Sequence, residues 1–446
     1  MKITMPQDVI YIIEQLNNEG YEAYAVGGCV RDSLLGRTPN DWDITTSATP
    51  QEIKAVFKRT IDTGIKHGTV TVLLRREGYE VTTFRIDGEY SDHRRPDGVT
   101  FTRELSEDLL RRDFTINAMA YSDKTGVVDL YGGVEDLDKG IIRCVGNPDD
   151  RFNEDALRIM RAVRFAAQLG FDIEEATRTA ATSHAPELSQ VSAERIETEL
   201  TKLLLSPHPE KLIDMYEMGI TAVVLPEFNR MMETEQNTPY HRFDVGRHTI
   251  EVMKNVPPTK VMRYAALFHD VGKPDSKTTD ANGQDHFKGH AIVSEGIAED
   301  ILKRLRMDND TIRDVKKIVY WHDFGLKGDI TKNSVRRMLS KMGEEYFDSY
   351  VHIRKADVMG QSDYRSDESR AVIEKITRYH DEIMQEGNAL SIADLAISGK
   401  DLIEMGIKPG PEMGEILRNL LDIVLEDPGL NTREILSKIV LERNDN

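Results

Sequence analysis

The sequence predicts an α+β protein, with a small α/β head followed by a long all-helical body. Residues 1–145 mix helical and strand signals, whereas beyond about residue 150 strand patterns nearly vanish and apolar residues recur at helical spacing. A chain of 446 residues also exceeds what one compact core accommodates, so roughly two to four domains are expected.

In the head, "QDVIYIIEQLNNEG" has helical periodicity and stops at Gly20. "YEAYAV", "GTVTVLL" and "YEVTTFRI" are rich in β-branched and aromatic residues and separated by Gly-containing turns, which predicts strands. In the body, "NEDALRIMRAVRFAAQLG" places Ala156, Ile159, Met160, Val163, Ala166 and Ala167 on one helical stripe ended by Gly170. The stretches 87–98, "DGEYSDHRRPDG", and 275–289, "DSKTTDANGQDHFKG", are polar and are expected to be mobile loops. "DANGQD" in the second has its Gly at the wrong offset for a calcium loop and lacks the closing Glu.

Composition narrows the class. Hydrophobic residues make up 39% and charged residues 30%, the balance of an ordinary soluble protein. A net charge of −19 argues against non-specific nucleic-acid binding by overall field and leaves room for a local basic groove. Cys29 and Cys144 are the two cysteines, which suits a reducing compartment and no disulfides. The sequence has no 18-residue apolar run, and acids and amides stand where a signal peptide needs its apolar core, so a cytoplasmic protein without membrane contact is expected.

Chemistry concentrates in "YAVGGCVRDSLLG" and "NDWDITTSATP". A strand runs into Gly27-Gly28 and then a helix with Arg31 in its first turn. Glycines let backbone N–H groups approach a phosphate, and Arg31 adds a forked donor. Asp41 and Asp43 lie two residues apart, on one face if the segment is a strand. A phosphate cradle followed by paired carboxylates suits magnesium-dependent nucleotidyl transfer. Thr45, Thr46 and Ser47 are expected to cap the next helix, "SATPQEIKAVF".

The run "VGGCVRDSLLGRTPNDWDITTSATP" resembles the head signature of class II tRNA nucleotidyltransferases and bacterial poly(A) polymerases, and the resemblance covers nearly the whole chain. "RRDFTINAMAY" (111–121) is similar to the family's ribose- and phosphate-binding motif, which implies that Arg112 holds the nucleotide and that Asp113 and Asn117 orient the ribose. Gly28 and Arg31 join them. "EDALRIMRAVRF" (154–165) resembles the nucleotide-selecting helix, "SAERIETELTKLL" (192–204) the helical motif after it, and "GKDLIEMGIKPGPEMGEILRNLL" (399–421) the tail that grips tRNA.

The selecting helix also has a chemical rationale. Asp155, Arg158, Arg161 and Arg164 recur every three residues, a ridge expected to clear the apolar stripe. Cytosine and adenine both present an amine beside a ring-nitrogen acceptor, and guanine and uracil the reverse. An acceptor at Asp155 and a donor at Arg158 therefore take C and A. A mismatch leaves buried polar groups unpaired, at roughly 1–3 kcal/mol each. The resemblance gives Asp155 and Arg158 this template role and puts Arg161 and Arg164 near the phosphates. A solvated basic face is the bland alternative.

Seven of the 12 histidines fall between His241 and His352. "GRHTIEVMKN" and "RYAALFHDVGKP" resemble the first two motifs of an HD metal-dependent phosphohydrolase domain. That resemblance implies His248, His269, Asp270 and Asp357 as ligands of a divalent metal, with His290 and His322 available for a second ion or a phosphate.

The sequence is thus identified as a class II tRNA nucleotidyltransferase with a fused HD domain, adding CCA to tRNA from CTP and ATP. Asp41 and Asp43 would bind Mg²⁺, with Glu80 a possible third carboxylate. Expected domains are a catalytic head (1–145), a helical neck and body (146–240), the HD domain (241–375) and a tRNA-binding tail (376–446), with no obligate protein partner. An intact 87–98 loop argues against a CC-adding specialist. An acidic chain ending in "LERNDN" argues against a poly(A) polymerase with a basic extension. The rivals are an A-adding enzyme, an HD phosphohydrolase with a nucleotide-sensing head, and a tRNA-binding chaperone, which gives the acidic pair no purpose.

Overall fold

The computed structural model describes residues 2–88, 98–325 and 329–444. The chain forms two compact units, Met1–Asn229 with Arg304–Arg306, and Arg230–Lys303 with Met307–Asn446.

The first unit opens with α1 (Gln7–Asn18), which buries Val9, Ile12, Ile13 and Leu16 at the predicted spacing. There follow β1 (Ala23–Val26), α2 (Gly28–Leu34), β2 (Ile44–Thr46), α3 (Pro50–Val56), β3 (Thr60–Gly64), β4 (Thr69–Leu74) and β5 (Glu77–Thr83). Next come β6 (Arg85–Asp87), β7 (Val99–Phe101), α4 (Leu105–Leu110), β8 (Met119–Ser122), β9 (Gly126–Asp129) and α5 (Gly133–Lys139). Seven strands make one sheet in the order β3-β4-β5-β2-β1-β8-β9, with β2 parallel to β5 and the other neighbours antiparallel. The functional segments enter and leave its central strands β1, β2 and β8.

Two local expectations are corrected. Asp41 and Asp43 are not on a strand; they lie in the irregular segment leading into β2. Thr45 and Thr46 are buried β2 residues, with Thr46 Oγ1 donating to the Glu22 carbonyl at 2.6 Å, so they cap nothing. Thr49 caps α3 instead, in a reciprocal box in which Glu52 N donates to Thr49 Oγ1 and Thr49 N to Glu52 Oε2. β6 and β7 pair antiparallel at the ends of the expected 87–98 loop, whose residues 89–97 lie outside the described residues.

The first unit continues with β10 (Ile141–Ile142), α6 (Pro148–Glu154), α7 (Leu157–Leu169) and β11 (Asp172–Ile173), the two strands pairing in parallel. The expected continuous helix is broken at Asp155, whose backbone is extended (φ −150°, ψ 103°). Asp155 Oδ1 then accepts from Leu157 N at 3.1 Å and starts α7 anew. Helices α8 (Glu175–His184), α9 (Ala193–Leu204), α10 (Leu212–Glu217), α11 (Ile220–Val224) and α12 (Pro226–Met232) complete this part, the division between units falling within α12.

The second unit holds α13 (Val245–Asn255), α14 (Lys260–Phe268), α15 (Lys273–Ser276), α16 (His290–Arg304), α17 (Asn309–Trp321), α18 (Lys332–Met342), α19 (Phe347–Gly360) and α20 (Ser366–Gln385). The shorter α21 (Gly399–Glu404) is followed by α22 (Pro411–Glu426) and α23 (Arg433–Asn444). One apolar cluster joins Val335, Leu339, Tyr350, Ile376 and Ile383; another joins Leu402, Leu420, Val424 and Leu436. The 275–289 stretch, expected as loop, contains a small hairpin of β12 (Thr278–Thr279) and β13 (Asp285–His286). Asp280 Oδ1 accepts from Asn282 N and Gln284 N and closes its turn.

Candidate active site and candidate metal centre

The head site is built around the turn between β1 and α2. Gly27 has φ 81°, and a Cβ there would stand 2.9 Å from Arg112 Nη1, so both conformation and space require glycine. Gly28 opens α2, with Arg31 Nη2 passing close by. Arg31 Nη1 donates to Asn117 Oδ1 at 2.6 Å, and Asn117 Nδ2 donates to Asp113 Oδ1 at 3.1 Å. Asp113 Oδ2 receives Arg161 Nε and Nη2 at 2.9 and 2.5 Å. Burial would raise the Asp113 carboxyl, but the Arg161 guanidinium outweighs it and holds the group well below the usual range.

Asp41 and Asp43 are open to solvent at the entrance to β2. The Asp43 carboxyl is raised because surrounding protein partly desolvates it, Arg112 opposing this while Asp41 and Glu80 add to it. Glu80 stands on β5 next to Val81, which pairs with Ile44, so its charge is felt at Asp43. Arg112 itself is steadied by Asp108, a fully buried carboxylate that also receives Arg111 Nη2 at 2.7 Å and Thr45 Oγ1 at 3.1 Å.

A pocket of about 300 Å³ opens beside this network, lined by Arg111, Arg112, Asp113, Asp155, Leu157, Arg158, Arg161 and Arg195. Asp155 Oδ2 accepts from Arg195 Nη2 at 2.7 Å. Arg158 pairs with Glu154 and donates to the Arg111 carbonyl at 3.2 Å. Arg164 is placed elsewhere. It is buried, with Nε 2.6 Å from Glu199 Oε2 on α9 and its guanidinium 3.6 Å over the Phe165 ring, and it does not line the pocket. Helix geometry explains this: each three-residue step falls about 60° short of a full turn, so the ridge rotates about 120° between Arg158 and Arg164. Burial lowers the Arg164 pKa to about 10 despite Glu199.

In the second unit, α13 supplies His248, the end of α14 supplies His269 and Asp270, and α19 supplies Asp357. His290 begins α16 and His322 ends α17. All six are buried and form two groups, His248–His269–Asp357 and Asp270–His290–His322, each with its ligand atoms within 4.8 Å of one another. The Nδ1 of His248, His269, His290 and His322 each face a main-chain carbonyl, at 3.2, 2.8, 2.9 and 2.6 Å. Carbonyls only accept, so every Nδ1 donates and every Nε2 turns inward as a potential ligand. The Nε2 atoms of His248 and His269 stand 3.3 Å apart, and those of His290 and His322 stand 3.0 Å apart.

Asp270 lies between the pairs, Oδ2 3.1 Å from His269 Nε2 and Oδ1 3.2 Å from His290 Nε2. Lys273 Nζ reaches Oδ2 at 2.7 Å, and Arg354 Nη1 holds Asp357 Oδ2 at 2.8 Å. Burial opposes ionisation of both carboxyls, but His269 and Lys273 beside Asp270, and His248 and Arg354 beside Asp357, hold them well below the usual range. Gly272 lets α16 close over the site, because a Cβ there would meet Ser294 N at 2.5 Å and the His290 carbonyl at 2.8 Å.

Comparison with known proteins follows the same division. Residues 23–143 match the Poly A polymerase head domain, 170–232 the RNA- and SrmB-binding region of polymerase A, and 290–440 tRNA nucleotidyltransferase domain 2. The CCA-adding enzyme of Leuconostoc mesenteroides is 36% identical over 99% of this chain and 98% of its own. The chain belongs to the CCA-adding enzyme family. The Levilactobacillus brevis member is 39% identical over 93% of this chain and 92% of its own. The crystal structure of the Bacillus stearothermophilus CCA-adding enzyme in complex with CTP is similar with a TM-score of 0.71, 30% identity and coverage of 99% and 98%. Chains of this nucleotidyltransferase family use divalent metal ions, and carboxylate and histidine clusters are present here. Among the described residues no helix is long and apolar enough to cross a membrane.

Within this CCA-adding family chain, Arg111, Asp108, Arg195 and Glu199 are site or supporting residues that sequence reasoning missed. Arg195 sits in "SAERIETEL", already singled out as a motif, and its position facing Asp155 depends on a contact 40 residues away. Asp108 carried no signal, since a surface acid and a buried anchor look alike in "SEDLLRRD".

Proposed function

We propose that this chain builds the CCA end of tRNA from CTP and ATP without a nucleic-acid template, the basic pocket selecting each incoming nucleotide. The observation that carries the proposal is that pocket, which sets the Asp155 acceptor and the Arg158 donor beside Arg111, Arg112 and Arg161. Magnesium ions held by Asp41 and Asp43, with Glu80 near, supply activation of the attacking tRNA hydroxyl and neutralisation of the leaving pyrophosphate. The chain's own residues do the positioning. Gly27 and Gly28 clear a path for the phosphates, Arg31 and Arg112 face them, and Asp113 with Asn117 orients the ribose. Asp155 accepts from the amine of cytosine or adenine while Arg158 donates to the ring nitrogen, and Arg195 keeps the Asp155 carboxylate aimed. Incubation with labelled CTP and a tRNA trimmed of its last three nucleotides tests this. Two C and one A should be added. Addition confined to A on a tRNA already ending in CC would mean the A-adding alternative.

A second activity is favoured by the inward-facing imidazoles. Two lone pairs 3.0–3.3 Å apart repel unless a proton or cation lies between them, and six nitrogen and oxygen donors suit divalent metal ions. We infer two such ions, one on His248, His269 and Asp357, one on His290 and His322, with Asp270 between them. Bound there, they would supply a Lewis acid and a nucleophile at neutral pH for phosphoester hydrolysis. Lys273 and Arg354 brace the carboxylates and line the adjoining pocket, where they meet phosphate charge. Elemental analysis of protein loaded and desalted should give about two ions per chain. A ratio unchanged by His269→Ala would end this reading.

A further inference from the structure

The pocket above the metal centre extends well beyond what a phosphate needs. Its volume is about 670 Å³, and it runs from Asp270 and Asp357 out to Tyr240 and Arg365. Tyr240 and Tyr364 are 38% and 47% exposed, unusual for rings fixed at a cavity mouth. They meet edge to face, centroids 5.1 Å apart at 72°. Backbone contacts hold them in register: Ser362 N donates to the Tyr240 carbonyl at 2.8 Å and Ser362 Oγ to the Pro239 carbonyl at 2.5 Å. Arg365 adopts the left-handed conformation (φ 55°) and sets its guanidinium 5.6 Å from the Tyr364 ring centroid. A non-glycine residue in that region persists where surrounding structure enforces it, often at functional sites.

Both tyrosines are tied to the metal ligands. Tyr240 lies just before α13, which carries His248, and Tyr364 just after α19, which carries Asp357. Gln361 Nε2, at the end of α19, donates to Asp357 Oδ1 at 3.1 Å. We propose that Tyr240 and Tyr364 form a stacking platform for a nucleobase, so that the second unit's substrate is a nucleoside-bearing phosphoester, its phosphate at the metal centre and its base at the rim. This rests on the reading of that centre as a phosphoester hydrolase. The base would lie against one ring with the second ring at its edge, and Arg365 would add a cation beside the stack.

Adenosine 5′-monophosphate and ribose 5-phosphate present the same phosphate on the same sugar with and without a base. Phosphate release and binding should be compared for the manganese-loaded full-length protein. Binding by the head is subtracted as the part that survives His269→Ala with Asp270→Ala. The nucleotide should be preferred about tenfold or more in kcat/KM. Tyr240→Ala or Tyr364→Ala should remove that preference while leaving ribose 5-phosphate turnover unchanged, and Tyr240→Phe should keep it. Equal turnover of both compounds, or loss of both in the alanine variants, would overturn the platform and leave the hydrolase reading standing. If neither compound is hydrolysed, the hydrolase reading falls and binding decides the platform. Metal-centre-dependent nucleotide binding lost in Tyr240→Ala would retain it, and absence of such binding would overturn it.

Discussion

At Asp113 a buried carboxylate receives Arg161 twice, Asn117, and the N–H of Phe114, so one residue fixes the turn, the ribose-side amide and the selecting helix together. This changes what Arg161→Ala should do. A phosphate contact alone predicts that all four triphosphates weaken alike. The structure adds an orphaned buried charge, whose cost is about 3–5 kcal/mol of stability. Arg161→Ala should therefore lower the denaturant midpoint of the first unit and reduce kcat/KM without altering base preference. Asp155→Ala should do the reverse, admitting UTP and GTP relative to CTP and ATP by several-fold or more, on the order of 1–3 kcal/mol. Relative kcat/KM for four triphosphates on a tRNA lacking CCA distinguishes them; unchanged preference in Asp155→Ala would return the ridge to a solvated face. Asp41→Ala and Asp43→Ala should each cost about 10³-fold or more in nucleotide addition. Neither should destabilise the head, because Asp43 is already disfavoured as an anion by partial desolvation and by Asp41 and Glu80.

Between elements, the α7–α9 contact shows how a motif can be legible in composition and misplaced in space. The ridge of Asp155, Arg158, Arg161 and Arg164 is plain in the sequence. Its break at Asp155 and the inward turn of Arg164 are not, because a backbone kink and helix rotation decide which side faces the pocket. The head strands with strong β-branched runs were readable; β2 and β8 were not, being three and four residues long. The metal ligands were readable as an adjacent His-Asp pair, whereas their convergence depends on α13, α16, α17 and α19 meeting. Glu199→Ala should destabilise the first unit by about 3–5 kcal/mol by leaving Arg164 buried alone, while Arg164→Met with Glu199→Leu should be close to neutral. Acid should act through the same packing. Asp108 and Asp113 bind protons more weakly folded than unfolded, so their stabilisation is full above about pH 3.8 and is lost as pH falls toward their depressed folded values. Asp113→Asn should flatten that acid limb in denaturation profiles taken between about pH 2 and 6.

Across the whole molecule, each compact unit carries one of the two tryptophans, Trp42 beside the acidic pair and Trp321 at the end of α17 next to His322. This makes the units separately observable. With Trp42→Phe, fluorescence reports the second unit; with Trp321→Phe, it reports the first. A cation bound to the folded histidine cluster and not to the unfolded chain stabilises by mass action, about 2.7 kcal/mol at a hundredfold excess over its Kd. Manganese should therefore raise the unfolding midpoint of the Trp321-reporting protein and leave the Trp42-reporting transition where it was. His269→Ala with Asp270→Ala should abolish that rise and end any phosphoester hydrolysis. CCA addition should persist, because the head contains its own carboxylates and arginines and takes none from the second unit. Both readings can be made on one preparation, with magnesium present throughout for the head. Loss of CTP incorporation in the double variant at an unchanged Trp42 transition would show that the two sites are catalytically coupled. Persistence of the manganese shift in that variant would place the cation elsewhere than on His269 and Asp270.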